Sequence, residues 1–204
     1  MHIVTIVNFC QNVQLSSHKK DQPGETYFFV PLNIFVLSVV DCNSEKDHLH
    51  AYMYTEAEGE KGGNLVASSI MKYLFDGQLL DGRQRYKLTI IMDNCSGQNK
   101  NKMVIRLAPY LTMKKHFEHV SILFLVAGHT KNTADWLFNL LEKDYRSQNV
   151  FSLTELIKVC NINQYVSAYK CFWTDFYDWN IFLNKIFKPR LEVIKKYQLF
   201  EACY

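Results

Sequence analysis

The feature that most constrains the fold is a short apolar run that ends in an acidic residue. The run covers residues 87–93, with the sequence KLTIIMD, and a polar turn containing glycine follows it. Six mostly apolar, β-favouring residues predict a buried strand. In open α/β sheets, ligands collect at the carboxyl ends of parallel strands. We therefore expect Asp93 at a position that suits chemistry rather than packing.

The first third of the chain predicts several strands joined by polar loops. Residues 3–9 are rich in β-branched side chains, and polar residues with a Pro-Gly pair predict a loop over 14–25. Two β-like runs follow at 26–30 and 33–41. Alternating residues at 48–55 predict a further strand, so early strands linked as hairpins are expected.

The middle of the chain alternates between helical and β-like patterns. Apolar spacing predicts helices from Asn64, a candidate cap, to residue 75, over 100–115 and over 133–145. Pro109 predicts a kink or an early end in the second of these helices. The run at 120–127 is almost wholly apolar, which is typical of a strand covered on both faces. The resulting order, β-β-β-α-β-α-β-α, predicts an α/β fold with a mixed sheet flanked by helices.

We expect two regions, a core over residues 1–150 and a C-terminal extension over residues 151–204. Ser152 and Glu155 form a capping box that opens a short helix, and residues 165–187 are dense in aromatic side chains. The extension is therefore predicted to be helical and rich in aromatic residues. It is either a small subdomain or a surface for a protein partner.

Composition excludes several classes of protein. The chain has 204 residues, a net charge of +3 and six cysteines, among which there is no C-x-x-C pair. No zinc signature or disulfide framework follows from that spacing, and the charge alone does not indicate nucleic acid. No apolar run reaches the ~18 residues that span a bilayer, so no membrane association is expected. We expect a soluble intracellular protein, nuclear or cytoplasmic.

The predicted order matches a ribonuclease-H-like core, which supports phosphodiester chemistry by a simple arrangement. Acidic residues on the first strand, at the end of the fourth strand and on the last helix converge and hold two divalent cations, Mg²⁺ or Mn²⁺. In this sequence those positions are Asn8, Asp93 and Asp135. Asp93 and Asp135 are therefore the candidate metal ligands, and Asn8 occupies a degenerate catalytic position.

Several motifs resemble an uncharacterised transposase-like family, whose members look like integrase-type catalytic cores derived from eukaryotic DNA transposons. The matching pieces are DNCSGQNKN from Asp93, GHTKN at 128–132 with Asp135 and Phe138, Tyr145-Arg146, NFCQN from Asn8, PGETY at 23–27, and Gly63-Asn64 with Val66-Ala67-Ser68. The resemblance covers roughly residues 3–160. It implies Mg²⁺-dependent cleavage and transfer of DNA strands, with DNA as the ancestral partner.

Two departures from the family pattern concern the site itself. The first segment of the family typically reads Asp-Phe-Ala-Gln, and this chain has Asn8 where that aspartate belongs. A neutral amide then replaces a carboxylate that should bridge both metal ions. Trp136 stands where an arginine commonly follows the helix aspartate, which weakens a phosphate contact. The resemblance therefore implies an impaired catalytic site.

Further residues are candidates for catalysis or for contact with the substrate. His129 is a candidate for orienting Asp135 or for contacting a scissile phosphate. The candidate substrate-binding residues are Gln98, Asn99, Lys100, Asn101 and Thr130.

Each candidate also has a plainer structural interpretation. Asp93 is equally suited to capping its turn, and Asp135 to favouring the dipole of its helix. Glu56 and Glu58 follow a strand and offer substitute ligands, although charged turns are usually only solvated. For the whole protein, the alternative is a non-catalytic domesticated module that binds DNA or protein.

Overall fold

The computed structural model describes most of the chain. The described residues are 1–20, 23–26, 28, 30–43, 45–80, 87–126, 133–188 and 194–204. The strands are β1 (His2–Phe9), β2 (Val13–Leu15), β3 (Leu32–Asp41), β4 (His48–Thr55), β5 (Lys87–Met92), β6 (His119–Phe124), β7 (Val166–Lys170) and β8 (Leu199–Cys203). The α-helices are α1 (Gly63–Asp76), α2 (Lys102–Met113), α3 (Thr133–Arg146), α4 (Leu153–Cys160) and α5 (Trp179–Ile186). Three short 3₁₀ turns lie at Gly24–Thr26, Trp173–Asp175 and Ile194–Lys196.

One eight-stranded mixed sheet organises the molecule, which confirms the prediction of an α/β fold with flanking helices. The strand order is β7-β4-β3-β1-β5-β6-β8, and β2 pairs with β3 beside this path. Strand β1 lies near the centre, antiparallel to β3 and parallel to β5, and β5 is parallel to β6. Helices on both faces cover these strands, so the core strands are apolar throughout.

Alternating side chains divide the interior into two apolar clusters, one on each face of the sheet. Val7 and Ile90 pack on the face covered by α1, α2 and α5. Ile6 and Ile91 point the other way and pack against the cluster that contains α3 and α4. Because the side chains of a strand alternate strictly, this parity fixes the face on which each residue at the strand ends lies.

The C-terminal region differs from the predicted helical extension. Helices α4 and α5 are present, but β7 pairs in parallel with β4, and β8 pairs antiparallel with β6. Val166 and Ala168 are buried in alternation with more exposed neighbours, which is a strand period that the dense aromatic residues conceal. Residues 151–204 therefore supply strands at both ends of the sheet.

Three local predictions are also corrected. The β-like run at 26–30 begins within a 3₁₀ turn, with residues 27 and 29 outside the described part, and a strand at Val13–Leu15 lies in the predicted loop. Helix α2 continues beyond Pro109 to Met113, so the proline does not end the helix.

None of the helices in the described ranges is long and apolar enough to cross a membrane.

Candidate functional site

The ends of two neighbouring parallel strands bring Asn8 and Asp93 together. The register pairs Val7 of β1 with Met92 of β5, so the next residues, Asn8 and Asp93, lie side by side at the carboxyl edge. By the side-chain parity of β1, Asn8 lies on the face covered by α3 and α4. Asp93 follows the last residue of β5 and contacts the turn that leads into α2. Both are half-buried. The structure therefore places these two candidates at one point of the sheet.

The carboxylate of Asp93 closes the turn that follows β5. Its Oδ1 accepts a hydrogen bond from the backbone N–H of Cys95 at 3.3 Å and another from Nδ2 of Asn99. The N–H groups of Asn99 and Lys100 bond to the carbonyl of Cys95 at 2.9 Å. Asn99 is fully buried, and its Oδ1 has no hydrogen-bond partner within the described residues. Asp93 thus caps the turn through its Oδ1, as the structural interpretation predicted.

Three predicted substrate contacts have structural roles in the turn after β5. Lys100 is 4% exposed, and its ammonium bonds to the carbonyl of Lys195 at 3.3 Å and lies 5.5 Å from the ring centre of Phe124. Asn101 is the N-cap of α2 and accepts hydrogen bonds from two backbone N–H groups at 3.0 and 3.1 Å. With Asn99 buried as well, these side chains position the turn, and their role in substrate binding stays a prediction. Gln98 is half-buried beside them.

Helix α3 packs on the face of the sheet where Asn8 lies, and it carries Asp135 in its first turn. Asp135 is half-buried, and its negative charge helps to raise the pKa of the Cys10 thiol, which follows β1. His129 and Thr130 lie outside the described residues. Trp136 is 55% exposed and packs edge-on against Tyr165, so it contacts the protein where an arginine was expected to meet phosphate.

A polar cavity of about 860 Å³ opens beside the end of β1, and we call it the strand-end cavity. Its walls come from the β1–β2 connection, the segment after β2, and the last two turns of α3. Among the described lining residues, His18, Lys19, Lys61 and Arg146 are basic and Glu142 is acidic. Arg146 pairs with Glu142 at 2.5 Å, so Lys19 and Lys61 have no acidic counterpart in this described lining.

Lys61 is the most unusual group in the strand-end cavity. Its ammonium lies 5.0 Å from the ring centre of Phe9 and 5.4 Å from that of Phe35. Burial lowers the pKa of Lys61, because desolvation disfavours the charged form. The sequence interpretation of the turn at 58–64 as merely solvated missed this lysine. The ammonium is thus held over two aromatic rings beside the end of β1.

Cys10 and Glu58, two described groups near the site, have surroundings that indicate structural roles. Burial, reinforced by the charge of Glu142, raises the pKa of Cys10 to about 12, so its thiol stays protonated. Glu58 accepts hydrogen bonds from the backbone and hydroxyl of Thr55 and so closes the turn after β4. Glu56 is exposed in the same turn.

The residues of the site do not fit the two-metal centre that the resemblance implies. Within the described part of the chain, no group of three or more His, Cys, Asp or Glu side chains is placed to hold a metal ion. Position 8 offers a neutral amide, and one oxygen of Asp93 already accepts two N–H groups. A pair of Mg²⁺ ions needs several carboxylate oxygens free to bind them.

Comparison with known proteins identifies a family but no activity. The profile of one family, described as Domain of unknown function (DUF7869), matches residues 32–202. The chain therefore belongs to this family. The match includes Asp93 and Asp135 and begins after Asn8. No curated protein and no solved structure matches the chain.

Proposed function

We propose that this protein is an integrase-type core derived from a DNA transposon, which binds DNA at the strand-end cavity and is impaired in strand cleavage. The observation that carries the proposal is the meeting of Asn8 and Asp93 at adjacent strand ends. Helix α3, which has Asp135 in its first turn, packs on the face of the sheet where Asn8 lies. These are the three positions at which a ribonuclease-H-like core holds its acidic residues. The transposase-like resemblance rests on the same residues.

The strand order supports a ribonuclease-H-like core. The first strand is central, two antiparallel strands lie on one side of it, and two parallel strands connected through helices lie on the other. This arrangement agrees with the order expected from the sequence. Fold alone does not assign an activity, so the site must carry the functional proposal.

The strand-end cavity supports DNA as the partner because its unbalanced charges are positive. Lys19 and Lys61 line a polar cavity beside the predicted catalytic edge. A phosphodiester backbone would place its negative charges against them and release counterions. Lys61, Asn8 and Asp93 would position the strand, and a DNA-bound role implies action in the nucleus.

Impaired cleavage follows from the donor set. With an amide at position 8, the site has two negative charges instead of three, and we derive no metal-dependent step from it. The ancestral cofactor would be Mg²⁺ or Mn²⁺. Asn8 is thus proposed as the residue that separates DNA binding from DNA cleavage in this chain.

A titration of fluorescent duplex DNA at two ionic strengths tests the binding proposal. We expect affinity to fall as salt rises, and Lys61→Ala to weaken binding and to reduce the salt slope by about one phosphate contact. Lys114→Ala is the matched control, because this exposed lysine follows α2 at the opposite edge of the sheet. Absence of salt-dependent binding, or equal loss in both variants, would contradict the proposal.

The second candidate function is a non-catalytic module that binds a protein partner through the aromatic C-terminal region. The observation that favours it is the exposure of Phe75, Tyr177 and Phe182 around a single groove. This function does not require DNA.

A further inference from the structure

A second cavity, of about 580 Å³, lies on the face of the sheet opposite α3, and we call it the aromatic groove. Its aromatic walls come from Phe75 of α1, Tyr110 of α2, and Tyr177, Trp179 and Phe182 at the start of α5. Tyr110, Trp179 and Phe182 contact one another edge-on, with ring centres 5.5 to 6.0 Å apart. The proposed DNA function does not use this groove.

The groove is held in shape by hydrogen bonds between α1 and the C-terminal segment. Ser68 Oγ accepts from the indole N–H of Trp179 and from the backbone N–H of Tyr177, both at 3.0 Å. Asn64, predicted as the cap of α1, instead accepts a hydrogen bond from the backbone N–H of Asn180 at 3.0 Å, because α1 begins one residue earlier. A partner would therefore meet a wall that is already ordered, which lowers the entropic cost of binding.

Large apolar side chains around the groove are exposed to solvent. Phe75 is 72% exposed, Tyr177 is 65% exposed and Phe182 is 41% exposed, whereas Trp179 at the floor is only 8% exposed. Contiguous exposed aromatic side chains above a buried tryptophan are typical of protein interaction sites.

The charge of the groove is opposite in sign to that of the whole chain. Asp76, Asp175 and Asp178 line it, and Lys72 is the basic residue among its described lining. Lys72 pairs with Asp76 at 3.3 Å. Asp175 and Asp178 accept hydrogen bonds from neutral backbone or amide N–H groups, which leave their negative charges unbalanced. The whole chain carries +3.

We propose that the aromatic groove binds a basic peptide segment of a partner protein, with bulky apolar side chains between lysine or arginine residues. The apolar side chains would contact Phe75, Tyr177 and Phe182, and the cations would face Asp175 and Asp178. The same carboxylates repel the phosphates of a nucleic acid, so DNA is not the occupant. The proposal stands apart from the strand-end cavity and from any activity there.

A titration with two synthetic helical peptides tests this assignment, with the full-length protein and fluorescence anisotropy as the readout. One peptide is built from leucine and lysine, and its counterpart carries glutamate in place of lysine. We expect the lysine peptide to bind, and the glutamate peptide to bind at least about tenfold more weakly, since like charges at an interface are unfavourable. Lysine-peptide binding should weaken as salt rises.

Variants test whether the peptide binds in the aromatic groove. Phe75→Ala should weaken binding of the lysine peptide about tenfold. Phe151→Ala should not, because Phe151 is 57% exposed but lies outside the groove. The double variant Asp175→Asn and Asp178→Asn keeps acceptors for the local hydrogen bonds and removes the charge, so it should abolish the preference between peptides. Lys61→Ala should change DNA binding only, which separates the two proposals.

Three outcomes would overturn the assignment. Equal binding of both peptides by the wild type would exclude charge recognition, and unchanged binding by Phe75→Ala would exclude the groove. Concentration-dependent dimerisation that Phe75→Ala abolishes, measured by sedimentation, would identify the occupant as a second copy of this chain.

Discussion

The strand-end cavity and the aromatic groove lie on opposite faces of one sheet and are built in different ways. The pair Asn8 and Asp93, beside the strand-end cavity, follows from strand order, since a residue at the end of β1 must lie beside the end of the parallel β5. The aromatic groove depends on long-range tertiary contacts, because residues 175–182 pack onto α1 and α2, which lie much earlier in the sequence. The first site is polar with positive charge, and the second is aromatic with negative charge. One sheet can thus present two surfaces suited to different partners.

The aromatic groove exists only if the C-terminal segment packs on α1 and α2, and the variant with the largest expected loss of stability tests this packing. Trp179→Ala should lower the free energy of unfolding by about 3–5 kcal/mol, because it removes a buried indole and its hydrogen bond to Ser68. Urea unfolding measures the change. Trp173→Ala is the control, since this indole is 71% exposed and should cost about 0.5 kcal/mol or less. Similar losses in both variants would mean that α5 is not anchored as described.

The face that carries the aromatic groove should also be sensitive to acid. His50 stacks on Tyr169 and contacts His48 and Tyr73, and burial lowers its pKa from 6.5 to about 4. Burial also lowers the pKa of His48, whereas the charges of Asp41 and Asp76 act to raise the pKa of His50.

Because the folded state disfavours the protonated form of His50, its contribution is fully present above pH 6.5 and is lost as pH falls towards 4. We expect a loss on the order of 2 kcal/mol, which His50→Gln should reduce. Urea unfolding at pH 7 and at pH 4.5 measures it. The control is His2→Gln at an exposed histidine, which should lose as much unfolding free energy between pH 7 and pH 4.5 as the wild type does. An equally large loss in His50→Gln would contradict the burial argument.

A smaller effect distinguishes a structural role from a ligand contact at the turn after β5. Asn101→Ala should cost about 1–2 kcal/mol of unfolding free energy, because the N-cap of α2 is lost. Asn101→Asp keeps an accepting oxygen and should recover most of this loss. DNA affinity at fixed salt should be unchanged in both. A variant that keeps its stability and loses DNA affinity would restore Asn101 as a substrate contact.

The sequence was informative about residues whose place depends on the local strand or helix pattern. It was less informative about residues whose place depends on tertiary contacts between distant segments. Residues Asn8, Asp93 and Asp135 could be assigned to two strand ends and a helix, because strand period and helix period are local. Asn99, Lys100 and Asn101 were predicted as ligand contacts; the structure buries Asn99 and Lys100 and makes Asn101 the N-cap of α2. A polar turn carries no local signal that distinguishes a solvated side chain from one covered by residues near 195.

The aromatic groove and the lysine at position 61 could not be located from local pattern. The spacing of Tyr177 and Trp179 does not indicate on which face of the sheet α5 packs. It also does not indicate that Ser68 accepts hydrogen bonds from both residues. Lys61 lies in a charged turn, and only packing on Phe9 and Phe35 distinguishes it from a solvated lysine. Both depend on contacts between residues distant in the sequence.

The central claim is that position 8 determines whether the core cleaves DNA, and a nicking assay on supercoiled DNA with Mg²⁺ or Mn²⁺ tests it most directly. We expect the wild type to match Asp93→Ala at background. Asn8→Asp should raise nicking clearly above that background, because a carboxylate at position 8 supplies the oxygen ligands and negative charge that a divalent metal ion requires. Adding Asp93→Ala to that revertant should return it to background. Strong nicking by the wild type that Asp93→Ala abolishes, or no gain in a folded Asn8→Asp variant, would contradict the account.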